Sequence, residues 1–187
     1  VAPNGTIAIV SGTPSDPGQV AIIDDGGERT VTALNREWIA SVLLGRSERI
    51  SFSAPDGQPL EAWLLHPASH APDEPLPLVL QIHGGPHWAL GERFAFDPLR
   101  LAEGGYRVML INPRGAQGYG EAYATVNRGD WGGIDAGDLL AAVEAAAARP
   151  DVDGARVGVY GESYGGYMTN WLIATTDRFR AAVAQNC

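Results

Sequence analysis

Residues 46–187 predict an α/β fold, a mostly parallel sheet with helices on both faces, and three observations carry that expectation. Apolar runs of β character alternate with helical segments from Leu78 to Ala184, the pattern of strands joined by crossover helices. Leu78-Val79-Leu80-Gln81-Ile82 is almost continuously apolar, as expected of a strand covered on both faces. Gly161-Glu162-Ser163-Tyr164-Gly165 joins the β run Val157–Tyr160 directly to a segment, Tyr164–Ala174, that can wind as a helix.

Residues 1–45 read as the end of a different unit. Thr6–Val10 and Gln19–Ile23 are short β runs separated by turn-rich sequence, and two strands alone cannot bury a sheet face. Asn35–Gly45 then reads as a connector, with Trp38 as an anchor against a neighbouring domain. The second unit opens with a hairpin, in which Arg49–Phe52 and Leu60–Leu65 flank Ala54-Pro55-Asp56-Gly57. Pro67, Pro72, Pro75 and Pro77 make the stretch from His66 to Pro77 a loop. The strand Leu78–Ile82 ends at His83-Gly84-Gly85-Pro86-His87. Asp97–Glu103 predicts a helix closed by Gly104-Gly105, and Tyr106–Ile111 a buried strand that ends in Asn112-Pro113-Arg114-Gly115 and a Gly-rich loop. Asp135–Arg149 is a helix stopped by Pro150. Arg156–Tyr160 is a strand, and Arg180–Ala184 begins one more.

Composition excludes several classes of function. The formal net charge is −9, which disfavours nucleic acid and anionic membranes as partners. No apolar run approaches the roughly 18 residues of a membrane-spanning helix. The single cysteine, Cys187, is the last residue, so no internal disulfide forms and a cytoplasmic location is expected. No metal-ligand cluster or phosphate loop is present, and no cofactor is expected.

The strand-to-helix turn holds the candidate chemistry. A serine there sits in a strained bend with its hydroxyl exposed, and flanking glycines remove β-carbons that would strike the neighbouring elements. Tyr164 N–H, at the helix start, is an orphan donor for a developing oxyanion. In a parallel sheet the carboxyl ends of the strands share one rim, which brings His83-Gly84-Gly85 to the same side as Ser163 and offers Gly85 N–H as the second donor. His83 and His87 are candidate substrate-side residues, and His83 is on the rim where a base would act. Serine hydrolases of this kind carry their residues in the order Ser, acid, His. After Ser163 there is no histidine, and the only acid is Asp177, at the opposite end of the next strand. The triad Asp and His are therefore expected on further polypeptide beyond Cys187. The remaining readings are a carboxylesterase with the same turn, and a non-catalytic, hydrolase-like binding module.

Five motifs occur in order: Glu48–Leu64 with its Asp56-Gly57 turn; His83-Gly84-Gly85-Pro86-His87; Asn112-Pro113-Arg114-Gly115 with Gly118-Tyr119-Gly120; Arg128-Gly129-Asp130-Trp131-Gly132-Gly133; and Gly161–Thr169. Through them the sequence resembles the prolyl oligopeptidase family of serine peptidases, and most of all its acylaminoacyl-peptidase branch. The resemblance implies an α/β-hydrolase domain preceded by a β-propeller, with residues 1–45 closing the last blade. It implies Ser163 as nucleophile, Gly85 and Tyr164 as oxyanion donors, and a propeller that limits substrates to short peptides, with release of N-acylated amino acids as the branch's activity. In other branches a tyrosine stands in the place of His83 and donates its hydroxyl to the oxyanion. Arg114 and an Arg128–Asp130 pair are expected to brace loops. Glu162 departs from the glycine or aromatic residue often found before the serine.

Overall fold

The computed structural model describes residues 1–187. Strands β1 (Ile7–Thr13), β2 (Asp16–Asp24) and β3 (Gly27–Thr30) form an antiparallel sheet in sequence order. Ala21 is its one fully buried apolar residue, so this piece has no core of its own. The third strand, Gly-Glu-Arg-Thr, was not expected because it has no apolar residue. A turn at Asp24–Gly27 pairs it with β2. Within the connector, α1 (Arg36–Ser41) sets the Trp38 ring 6.0 Å from Phe94 and 6.4 Å from Phe96, which is the anchor the sequence predicts.

The second sheet comprises β4 (Arg46–Ser53), β5 (Pro59–His66), β6 (Leu76–Ile82), β7 (Arg107–Ile111), β8 (Val152–Glu162) and β9 (Ala181–Gln185), in spatial order β4-β5-β7-β6-β8-β9. The hairpin β4/β5 and the pair β5/β7 are antiparallel, and β6, β7, β8 and β9 run parallel. Helix α2 (Phe96–Glu103) links β6 to β7, α4 (Ile134–Ala147) links β7 to β8, and α5 (Tyr164–Thr175) links β8 to β9. The short α3 (Glu121–Thr125) lies in the Gly-rich loop after β7, where the sequence predicts only a loop.

Helices cover both faces. Leu78, Leu80, Ile82, Met109, Val157 and Val159 pack with Leu139, Val143, Met168 and Leu172 of α4 and α5. Trp63, Leu65, Val108 and Leu110 pack with Leu99 and Ala102 of α2 on the opposite face. Each fully buried aliphatic side chain contributes about 1.5–3 kcal/mol. The strand β6 departs from its expected full coverage: Leu76, Leu78, Leu80 and Ile82 are buried, while Pro77, Val79 and Gln81 are half-buried. Those three face the α2 side, where α2 packs over β5 and β7 and an open groove of about 800 Å³ lies along β6, β8 and β9. The fully buried strand is β7. No helix is long and apolar enough to cross a membrane.

Candidate active site

The carboxyl ends of β6, β7, β8 and β9 form one rim, and Ser163 stands on it between β8 and α5. Its backbone is at φ 59° and ψ −120°, a region that side chains with a β-carbon avoid. The bend is imposed by close packing. A β-carbon at Gly161 would collide with Gly165 O, and one at Gly165 would collide with Ile82 O of β6. Ser163 N donates to Gln185 O at 2.9 Å and Tyr167 N to Ser163 O at 2.9 Å, so the turn is tied to β9 and to its own helix. Ser163 is exposed, and its hydroxyl makes no cap bond to the helix. It therefore faces outward from the crest of the sheet.

Gly84 closes the gap between the two strand ends. A β-carbon there would lie 3.3 Å from Glu162 O, 3.5 Å from Ser163 Cβ and 4.0 Å from Ser163 Oγ. The next residue, Gly85, has φ 130°, and its N–H makes no hydrogen bond to another main-chain group. Tyr164 N–H opens α5 and has no preceding turn of helix to bond. The loop that carries the glycines is clamped to the end of β7: Leu90 N donates to Asn112 Oδ1 at 2.8 Å, and Asn112 Nδ2 donates to Leu90 O at 2.9 Å. Together these elements bring an exposed hydroxyl, a helix N-terminus and a free loop amide to one place.

The other candidate residues lie in varied surroundings. His83 is 7% exposed, and its Nδ1 lies 2.7 Å from Gly84 O rather than against Ser163, so it is not placed as the base. Burial, more than the nearby Arg93 charge, pushes the imidazole below its ordinary value of 6.5. His87 is exposed and lines the same cavity as His83. Arg114 braces as expected. Its Nε lies 2.9 Å from Asp138 Oδ2 and its Nη1 pairs with Asp56, bonds that push the guanidinium further up. Arg128 and Asp130 are both exposed and form no ion pair, because the Gly129 turn, at φ 78°, sits between them. Asp177 lies between α5 and β9, at the end of the sheet away from the serine.

Two contributors were not foreseen. Asp135, expected only as a helix start, is fully buried and accepts from Tyr164 Oη at 2.7 Å and Asn127 Nδ2 at 3.0 Å. The only sequence signal was an acid placed before an apolar helix, which more often marks a cap. Glu162, which precedes the serine, lines a cavity of about 380 Å³ together with Gln81, His83, Gly84, Gly85 and Asp97.

A serine presented on a strand-to-helix turn at the carboxyl rim of a parallel sheet, facing a Gly-Gly loop, defines the α/β-hydrolase class. The sequence comparisons go further. Residues 92–187 match the model of the prolyl oligopeptidase family. The chain is 40% identical over 174 residues to the uncharacterized peptidase YuxL of Bacillus subtilis, covering 92% of this chain and 26% of that protein. It is 33% identical over 163 residues to dipeptidyl-peptidase 5 of Porphyromonas gingivalis, covering 86% and 24%. The acylaminoacyl peptidase of Pyrococcus horikoshii superimposes with a TM-score of 0.88 at 29% identity, covering 96% of this chain and 29% of that one. The chain belongs to the prolyl oligopeptidase family. It spans about a quarter of the length of these curated relatives.

Proposed function

We propose that this chain carries the nucleophile and oxyanion hole of a serine peptidase that hydrolyses short peptides. The observation that carries the reading is the exposed Ser163 at φ 59°, held beside Gly84 at the rim. Ser163 Oγ attacks the scissile carbonyl as a base removes its proton. The N–H groups of Tyr164 and Gly85 hold the oxyanion, and the proton passes to the departing amine. The acyl-serine ester is then hydrolysed by water, which returns the proton to the serine.

The base and its orienting acid come from the rest of the same enzyme, since no histidine of residues 1–187 bonds Ser163. Residues 1–45 form the close of a β-propeller blade, and that propeller restricts entry to short peptides. Family membership and the small antiparallel sheet β1–β3 support this part of the reading. Release of an N-acylated amino acid competes with cleavage behind a free amino terminus, and the acceptor-lined cavity beside Glu162 favours the latter.

The test is labelling of the complete enzyme with a fluorophosphonate. Label on Ser163 in the wild type, lost in Ser163→Ala, supports the reading, and label that persists in the variant refutes it. Faster cleavage of an amino-acid amide than the matching ester, relative to their uncatalysed rates, separates a peptidase from an esterase.

A further inference from the structure

The cavity that shares Gly84 with the serine's surroundings has several hydrogen-bond acceptors in its lining. Gly84 O can only accept, so the 2.7 Å contact from His83 Nδ1 fixes the ring proton on that nitrogen. Burial favours the neutral ring, in which Nε2 carries a lone pair. That atom is buried with no partner, and so is Gln81 Oε1. Glu162 and Asp97 add carboxylates to the same lining, and Asn186 Nδ2 steadies Glu162 Oε1 at 3.0 Å. The one cation of the lining, Arg93, lies over the Trp88 ring at 5.7 Å. A buried acceptor without a donor costs about 1–3 kcal/mol, so this wall is matched by a ligand rich in N–H groups.

The cavity adjoins the serine through Gly84. A β-carbon on that glycine would come within 4.0 Å of Ser163 Oγ. Glu162, the chain neighbour of Ser163, lines the same cavity.

We propose that this cavity is a subsite for a primary ammonium group of the substrate, with Glu162 as the residue that selects it. The inference deepens the peptidase reading and rests on it. A primary ammonium brings three N–H donors and a positive charge, which suits Glu162 together with Gln81 Oε1 and His83 Nε2. An acylated amine brings one donor and no charge, and leaves acceptors unmatched. The ammonium is supplied either by a free amino terminus or by a lysine side chain, and the two sources are separable.

The experiment compares the complete wild-type enzyme with Glu162→Gln on alanyl, N-acetylalanyl and N-acetyl-lysyl p-nitroanilides, alongside fluorophosphonate labelling of Ser163. The wild type is expected to prefer a substrate that bears an ammonium over N-acetylalanyl. In Glu162→Gln that preference falls roughly 10- to 100-fold, mainly through KM, while Ser163 still labels. A fall on the alanyl substrate assigns the subsite to the amino terminus, and a fall on the N-acetyl-lysyl substrate assigns it to a side chain. A Glu162→Gln enzyme that labels normally and keeps the wild-type preference overturns the subsite and leaves the peptidase reading standing. A wild type that does not label at Ser163 overturns the peptidase reading, and the subsite falls with it.

Discussion

The phenolic oxygen of Tyr164 lies 2.7 Å from Oδ2 of Asp135, so the residue after the serine is bonded to the helix that crosses from β7 to β8. Both side chains are buried, and Asp135 also accepts from Gly132 N at 2.8 Å and Ala136 N at 2.9 Å. Burial, reinforced by the Asp135 carboxylate, pushes the Tyr164 phenol far up, which keeps it protonated and donating. Tyr164→Phe removes one donor from a buried carboxylate. The expected cost is about 1–3 kcal/mol, read as a lower urea midpoint with an unchanged denaturant slope.

Close packing around the turn makes a second prediction sharp. A methyl at Gly165 meets the main-chain oxygen of Ile82, and neither backbone can move without separating α5 from β6. Gly137, the fourth residue of α4, has nothing within 4 Å of the same added atom. Gly165→Ala is expected to destabilise by about 3 kcal/mol or more, and Gly137→Ala to stabilise by up to about 1 kcal/mol through helix propensity. Chemical denaturation of the two variants checks the contrast.

The contrast also shows why the serine's surroundings were legible in the sequence. Gly161 is required by its neighbour Gly165, four positions along the chain. Gly165 was legible through its spacing from Gly161 and Ser163, although its own contact is Ile82 O in β6, and Pro150 marks a helix end locally. The strand β3 was missed because Gly27–Thr30 has no apolar residue, and its place is set by a turn and by pairing with β2. The half-exposed face of β6 was missed because an apolar run does not reveal which face a helix covers. The bond from Tyr164 to Asp135 spans 29 positions, and that of Asn112 to Leu90 spans 22. No periodicity records such pairings.

Backbone strain at Ser163 separates two substitutions that both remove the hydroxyl. At φ 59° and ψ −120° a β-carbon costs about 1–3 kcal/mol. Alanine keeps that cost and glycine relieves it, although glycine also makes the unfolded chain more flexible by about 0.5–1 kcal/mol. Ser163→Gly is therefore expected to be more stable than Ser163→Ala by about 1 kcal/mol, with neither variant taking a fluorophosphonate label. Equal midpoints for the two would show that the turn stores no such strain.

Arg114 joins the loop after β7 to α4 through Asp138, which is fully buried and also accepts Arg114 N at 2.9 Å. Asp138→Asn leaves the guanidinium, itself 7% exposed, without its main counter-charge. The expected loss is about 3–5 kcal/mol. Replacing both residues with apolar side chains of similar volume, in Arg114→Met with Asp138→Leu, is expected to recover part of that loss. A double-mutant cycle on urea midpoints measures the coupling.

The pH dependence of stability follows from two buried histidines. Burial, the largest cause at each, depresses His83 and His66 below the ordinary 6.5. At His66, Arg46 and Arg107 add to the depression, and Glu48 and Asp151 oppose it. A base with a depressed folded pKa binds its proton more readily when unfolded, so stability is full above about pH 6.5 and falls as pH drops toward the folded values. Each histidine contributes a slope of up to about 1.4 kcal/mol per pH unit in that window. The carboxylates of Glu48, Asp56 and Asp151 are held below their ordinary 4.5, 3.8 and 3.8. Burial of Glu48 and Asp151 works against this shift, and bonds to Arg149 at those two and to Arg114 at Asp56 outweigh it. Their contribution is lost only as pH falls below those values, so the decline between about pH 6.5 and 4.5 comes from the histidines. Urea midpoints measured from about pH 7.5 to pH 5 should therefore decline, and His83→Gln should make the decline shallower by one histidine's share. An unchanged slope in His83→Gln would mean that its ring takes up a proton in the folded protein as easily as in the unfolded chain.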